Sequence, residues 1–321
     1  MLRVIEPNSR PVIDVACGVL MRASGEVLLA QRPAGKLAAG KWEFPGGKLE
    51  CGETPYQALR RELDEELGVQ IRGGKRLARL RQDYSDRRVW LDTWLIDDFH
   101  GEPQPRENQQ FEWIAPSRIG DFDVLPSCWR VAAALQMPRE YVITPPQSTL
   151  ASLLRGLAHL PSGALLRLRL PALDDAAYQA IAIALTEPAR ARAIGLVLDR
   201  APSQVPALGA VGWHASSAAL AQLDSRPLPQ GIWVLASAHD AAQIARAHAI
   251  GADAVIVGPV LDTASHPGAT TLGWPNFAAL AEQAGLPAYA IGGLDASALE
   301  HVQALGGFGI AAISAYWPTR G

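Results

Sequence analysis

Cysteine is scarce in this chain. Its 321 residues hold three, Cys17, Cys51 and Cys128, an odd number without paired spacing. That excludes a disulfide framework and points to a reducing compartment, so a cytoplasmic location is expected. No apolar run is long enough to span a bilayer, and the opening MLRVIEPNSR lacks the apolar core of a signal peptide. No membrane is therefore expected as a partner. A large charge of either sign is also missing. The 29 Lys and Arg stand against 32 Asp and Glu, a net of −3, which argues against a surface for nucleic-acid polymers. Cys17, His214 and His266 do not form a zinc-ligand spacing. The basic stretch from Arg72 to Arg88, with Lys75, Arg76, Arg79, Arg81 and Arg87, reads as a solvated face. The length exceeds what one compact core needs and suits two domains.

The informative stretch runs from Gly47 to Val69, GKLECGETPYQALRRELDEELGV. Thr54-Pro55-Tyr56-Gln57 supplies a threonine N-cap, a proline at the first helical position and a glutamine at the capping-box position. Gly68 can turn left-handed after the helix. At about 100° per residue, Tyr56, Leu59, Leu63 and Leu67 form one apolar stripe. Glu62, Glu65 and Glu66 fall on the adjacent arc, and Asp64 points elsewhere. Three acids in the last turns of a helix repel each other and the negative end of the helix dipole. A hard divalent cation with oxygen ligands, Mg2+ or in its place Mn2+, offsets that repulsion. Upstream, Glu43-Phe44-Pro45-Gly46-Gly47 reads as a strand end running into a tight loop whose carbonyls can complete the coordination.

The pattern Gly-x5-Glu-x7-Arg-Glu-Leu-x-Glu-Glu-x-Gly-Val resembles the Nudix box, with every motif position filled. The resemblance implies that Glu62, Glu65 and Glu66 bind the catalytic metals, with the Gly46 carbonyl as a further ligand. It implies too that Glu53 and Arg61 brace the loop against the helix. Glu107, in the loop before Phe111, is the candidate for an additional ligand or the base. Gly18, Arg32, Phe44 and the run Lys41-Trp42-Glu43-Phe44-Pro45-Gly46-Gly47-Lys48 resemble the MutT branch over about the first 135 residues. That branch hydrolyses 8-oxo-dGTP to the monophosphate and pyrophosphate. By that likeness Arg32 and Arg87 are hydrogen-bond donors of the nucleotide pocket and Phe44 is its apolar wall. There is one departure. Where the branch carries a purine-reading asparagine, this chain has Cys128 or Ser127, and a thiol is a weak partner. Losing a buried hydrogen-bonding pair costs about 1–3 kcal/mol, which weakens the basis for selecting the oxidised guanine and leaves the diphosphatase chemistry intact.

The expected fold is an N-terminal Nudix α/β/α sandwich with a mixed sheet over 1–137 and a C-terminal (β/α)8 TIM barrel over 138–321. In the first part, strands are expected at Val12–Met21, Glu26–Gln31, Lys75–Tyr84, Val89–Asp97 and Phe111–Ile114, with a last helix over Ser127–Leu135. Met137-Pro138-Arg139 reads as a linker. Beyond it come eight strand candidates: Tyr141–Thr144, Leu165–Leu170, Ile194–Asp199, Ala210–His214, Trp233–Ser237, Ala254–Pro259, Ala288–Gly292 and Gly309–Ala315. Ala-rich helical stretches separate most of them, the signature of parallel βα units. Short connections such as Ser203–Leu208 leave an imperfect barrel open.

This second half resembles thiamine-phosphate synthase and the related thiazole tautomerases. The likeness is carried by Tyr141-Val142-Ile143-Thr144, Leu166-Arg167-Leu168-Arg169, Val211-Gly212-Trp213-His214, Ser237-Ala238-His239 and Gly251-Ala252-Asp253. Gly258-Pro259-Val260, Ala290-Ile291-Gly292-Gly293 and Gly309-Ile310 continue it. It implies a phosphate site of backbone amides at the barrel top, with Gly292, Gly293 and Ser314, and a thiamine or thiazole phosphate as ligand. The residues with which that family handles pyrophosphate are eroded: where a lysine follows the strand-two arginine, Arg169 is followed by Leu170-Pro171, the Asn-Asp pair of strand three reads Leu198-Asp199, and the loop after strand four reads Ser216-Ser217-Ala218-Ala219. Thr263-Ala264-Ser265-His266 departs in the same way. A synthase needs such groups for a departing pyrophosphate, so a non-synthase barrel is expected. His239 is the remaining acid/base candidate, with a structural histidine as its alternative.

Together these readings predict a Mg2+-dependent Nudix hydrolase of the 8-oxo-dGTP type, acting in nucleotide-pool sanitation and DNA repair, fused to a thiamine-phosphate-synthase-like barrel. The alternatives are a Nudix hydrolase of a thiamine-pathway diphosphate and a hydrolase regulated by a thiamine-phosphate-binding barrel.

Overall fold

The structure is a computed structural model and describes residues 10–263, 268 and 270–317. The segment Ala264-Ser265-His266 therefore lies outside the described residues. The chain forms two compact units, Met1–Gln136 and Met137–Gly321.

The first unit is built from β1 (Val12–Leu20), β2 (Val27–Gln31), β3 (Trp42–Glu43), β4 (Gly46–Lys48), α1 (Pro55–Leu67), β5 (Gln70–Ile71), β6 (Lys75–Asp83), β7 (Arg88–Ile96), β8 (Phe99–His100), β9 (Phe111–Ile114) and α2 (Pro126–Gln136). The main sheet has the order β4-β1-β7-β6 and is mixed, since β1 runs parallel to β7 while the other neighbours are antiparallel. A second sheet has the order β3-β2-β9. The expected loop at Gly46-Gly47 is instead the short strand β4, because both glycines pair with Ala16 and Cys17 of β1. Pairing across such a sequence distance leaves no local signal.

Helix α1 begins as its sequence dictates. The Thr54 side chain accepts from the Gln57 amide at 3.3 Å, and the Gln57 side chain accepts from the Thr54 amide at 2.9 Å. Gly68 ends the helix at φ 71°, a left-handed conformation that glycine adopts without strain. Leu59, Leu63 and Leu67 are fully buried against Ala16, Leu20, Leu28 and Ile96. Each such leucine contributes about 1.5–3 kcal/mol relative to an exposed one. Burying that stripe fixes the adjacent acids at the edge of the sheet.

The second unit is a closed parallel barrel of β10 (Glu140–Ile143), β11 (Leu165–Arg167), β12 (Gly195–Leu198), β13 (Gly212–Ala215), β14 (Trp233–Ala238), β15 (Ala254–Val257), β16 (Ala288–Ile291) and β17 (Gly309–Ala312). All eight expected strands form, and the short connections do not prevent closure. The strand from Leu165 ends earlier than expected, at Arg167, while Leu168 and Leu170 pack in the outer core between strands and helices. No helix among the described residues is long and apolar enough to cross a membrane.

Candidate active site

The acidic edge of α1 lies beneath β4. A Cβ added at Gly47 would collide with the Glu62 carboxylate, and one added at Gly46, where φ is 138°, would strike the Ala16 carbonyl. Only glycine lets the strand pass this closely over the acids. The Gly46 amide donates to Glu66 Oε2 at 3.3 Å. Burial lifts the Glu66 carboxyl to about 7; the neighbouring Glu62 and Glu107 charges add to the rise, while the Gly46 amide and Lys36 oppose it.

Arg61 organises the rest. Its Nε and Nη2 each donate to a Glu53 oxygen at 2.9 Å, and its Nη1 donates to Glu62 at 2.9 Å and Glu65 at 3.3 Å. Nη2 also reaches the Lys48 carbonyl at 3.1 Å, tying β4 to the helix. On the other side, Lys36 pairs with Glu107. The loop carrying Glu107 caps the end of α1, where the Gln104 amide donates to Leu67 O at 2.9 Å and the Arg106 amide to Glu66 O at 3.1 Å. Gln109, buried, accepts from the Glu107 amide and donates to Glu66 O, both at 2.8 Å. Sequence reasoning missed Gln109 and Lys36, whose partners are far away in the chain.

The acids suit a hard cation in donor type and in field. Glu62, Glu65, Glu66 and Glu107 offer oxygen only, and the rise of the Glu66 carboxyl, caused first by burial and then by the Glu62 and Glu107 charges, marks a site where a cation would favour the ionised form. Arg61 holds Glu62 and Glu65 while Lys36 holds Glu107, and among the described residues no three acids, histidines or cysteines close on one point.

Beside this edge is a narrow cavity of about 40 Å3 lined by Cys17, Glu43, Phe44, Leu91, Ser127 and Cys128 among others. Phe44 and Cys128 are buried. The Cys128 thiol donates to the Trp42 carbonyl at 3.5 Å, and burial pushes its pKa up to about 12. Arg32 reaches the cavity through Glu43, to which its Nη1 donates at 2.5 Å, while its Nε is spent on Leu37 O at 2.7 Å. Burial raises the Glu43 carboxyl, and Arg32 opposes that rise. Arg87 lies over the Tyr84 ring at 4.7 Å and pairs with Asp86 at 2.7 Å; Tyr84 in turn hydrogen-bonds Ser127. Glu43 and Tyr84 thus join the site; the first stood inside the Lys41–Lys48 run, and nothing local marked the second.

In the barrel, Arg167 donates twice to Asp199 Oδ2, at 3.0 and 3.2 Å. Tyr141 Oη is 2.9 Å from His214 Nδ1, and His214 Nε2 is 2.8 Å from Ser237 Oγ. Burial, then Arg167 and Arg169, depress the His214 pKa well below its ordinary value, so the ring is neutral. His239 is exposed at the end of β14, where its Nδ1 donates to the Gly258 carbonyl. Gly292 and Gly293 have φ of 106° and 66° and press against residues 259–262, leaving no room for a Cβ. Ser314 is exposed in the turn after β17.

Residues 12–132 match the NUDIX domain family and residues 140–316 match the thiamine monophosphate synthase family. The CTP pyrophosphohydrolase of Escherichia coli K12 is 40% identical over 116 residues, which is 36% of this chain and 85% of that protein. The 8-oxo-dGTP diphosphatase of the same organism is 36% identical over 124 residues, or 39% of this chain and 96% of that protein. The solved thiamine phosphate pyrophosphorylase of Pyrococcus furiosus is 21% identical and covers 55% of this chain and 85% of its own, with a TM-score of 0.44.

Proposed function

Because the chain belongs to the Nudix hydrolases through residues 12–132 and to the thiamine monophosphate synthase family through residues 140–316, we propose that it hydrolyses a nucleoside triphosphate, 8-oxo-dGTP foremost, to the monophosphate and pyrophosphate. The role that follows is nucleotide-pool sanitation. The observation that carries this reading is the acidic edge of α1 directly beside the cavity of Phe44, Glu43 and Cys128.

Glu62, Glu65 and Glu66, with the Gly46 carbonyl and Glu107, are the residues that would hold Mg2+, or Mn2+ in its place. The ion, when bound, supplies neutralisation of phosphate oxygens. The protein's own part is positional. Arg61 aligns Glu62 and Glu65 by holding them against Glu53, and β4 fixes Glu66 through its amide. Glu107, on the loop that caps α1, assists the metal set or takes the proton of the attacking water. Phe44 gives the base an apolar wall, and Glu43 with Arg32 gives it a charged edge. Arg87 contributes through Tyr84.

Pyrophosphate release from 8-oxo-dGTP, dGTP, CTP and thiamine diphosphate, by wild type and by Glu65→Gln, tests this reading. Preference for 8-oxo-dGTP, lost in the variant, supports it. Preference for CTP, the substrate in the name of the 40% identical relative, would assign a cytosine nucleotide instead. Preference for thiamine diphosphate would move the activity to the thiamine-pathway reading.

One observation favours a second role for the barrel. The Arg167 guanidinium neutralises Asp199, what remains of the family's Asn-Asp pair at the end of strand three, and so removes it as a free ligand for a cation. That supports a non-synthase barrel, and family likeness alone suggests that it binds a thiamine or thiazole phosphate near Gly292, Gly293 and Ser314. His239 is its acid/base candidate, and turnover of a thiazole phosphate lost in His239→Ala would establish catalysis there.

A further inference from the structure

A second cavity in the first unit, of about 400 Å3, is lined by Tyr56, Arg60, Gln70, Ile71, Arg72 and His100. Its volume lies in the range of small-molecule sites. It is not the acidic edge: at 3.6 residues per turn Arg60 lies roughly 160° around α1 from Glu62. The antiparallel pair β5–β8 forms one wall, with Gln70 opposite His100 in the register.

Most arginines of the unit are already engaged. Arg61, Arg76, Arg79, Arg87, Arg88 and Arg106 all sit in ion pairs. Among the described residues, the guanidinium groups of Arg60 and Arg72 and the ring of His100 have no hydrogen-bond or ion-pair partner. Asp64, at the i+4 position from Arg60, would be its ordinary partner. It is held instead by Arg106, whose Nη1 donates to its carbonyl at 2.7 Å and its carboxylate at 3.3 Å. Asp98 gives Arg72 only a backbone contact, carbonyl to amide at 3.0 Å. The cavity thus gathers two unspent guanidinium forks and an imidazole around a polar glutamine, over an apolar floor. That floor is the buried Ile71 and the Tyr56 ring, whose centre lies 4.9 Å from that of Trp94.

Guanidinium forks match phosphate oxygens bidentately, and an unpaired pair of them facing one cavity is a receptor for a dianion. We propose that this cavity is a second, non-catalytic site that binds a phosphate group between Arg60, Arg72 and His100. It is separate from the acidic edge and stands whether or not the hydrolase reading holds.

The test uses the full chain, free of divalent cations in EDTA, titrated with inorganic phosphate and with AMP. Binding is followed by the NMR signals of the His100 ring, assigned with His100→Gln. Saturable shifts are expected, with affinity about tenfold weaker in the Arg60→Gln/Arg72→Gln double variant. Tighter binding of AMP would identify a nucleoside phosphate as the ligand, and equal binding would identify the phosphate group alone. Nucleotide hydrolysis by the double variant, with saturating Mg2+ and no added phosphate, is expected to match wild type. Phosphate that leaves the His100 signals unmoved, or binds the double variant as tightly as wild type, overturns the site, because that binding would then belong to the barrel or another surface.

Discussion

The Glu53 carboxylate grips the Arg61 guanidinium through both oxygens, each at 2.9 Å, and the same guanidinium holds Glu62 and Glu65 on its remaining nitrogen. The contact holds the Glu53 carboxyl down at about 2. Arg61 is therefore a positioning residue for the acids. Lysine keeps the charge but cannot make the fork. Arg61→Lys is expected to lower kcat about 10- to 100-fold, the scale of one or two charge-assisted hydrogen bonds, with little change in KM. Steady-state kinetics at saturating Mg2+ checks it. A kcat within twofold of wild type would show that Arg61 is dispensable.

The Glu66 carboxyl titrates near 7 in the fold against an ordinary 4.5, chiefly because it is buried. The fold therefore retains a proton that the unfolded chain has lost in the window between those values. Its contribution to stability is complete below the lower value and disappears as pH rises through the upper one. Glu66→Gln, which cannot ionise, removes this dependence. Scanning calorimetry in EDTA at pH 5 and pH 8 is expected to show the variant gaining on wild type at the higher pH, by at most about 3 kcal/mol. An equal gain at both pH values would assign the effect to packing.

Local features of this fold were legible in the sequence, and distant pairings were not. Thr54, Gln57 and Gly68 announce the ends of α1 because a capping box and a left-handed glycine act within a few residues. The eight barrel strands announce themselves by alternating with helices. At Gly46-Gly47 the sequence predicts a tight loop where the strand β4 stands, since its partner β1 is remote. Arg32 is legible as a donor of the nucleotide pocket, whereas its pairing through Nη1 with Glu43, a contact set by the β2–β3 pairing, is not. Lys36 on Glu107 and Gln109 under α1 depend likewise on loops that meet only in three dimensions.

The two glycines of β4 should fail differently. At Gly46 a methyl group meets the Ala16 backbone and the backbone angle is itself unfavourable, so Gly46→Ala is expected to destabilise the unit by about 2–4 kcal/mol. At Gly47 the obstruction is the movable Glu62 carboxylate. Gly47→Ala should therefore keep most of the stability and lose activity, because Glu62 must leave its place beside Arg61. Thermal melts paired with hydrolysis rates separate the two. An active, stable Gly46→Ala protein would contradict the close passage of β4 over β1.

In the barrel, Arg167 and Asp199 are nearly buried, with side chains 11% and 13% exposed. Removing one partner strands the other without its counter-charge, which costs more than removing both. Arg167→Gln is expected to destabilise the barrel by about 3–5 kcal/mol, and Arg167→Leu combined with Asp199→Leu by distinctly less. Hydrogen exchange over Leu165–Arg167 and Gly195–Leu198 reads the effect locally, even if the two units unfold in separate transitions. Asp199 has its cation already, so protection of these strands is expected to be the same with Mg2+ as with EDTA. A Mg2+-dependent rise in protection there would show that the metal competes with Arg167 for the carboxylate, and would restore a metal-assisted chemistry to the barrel.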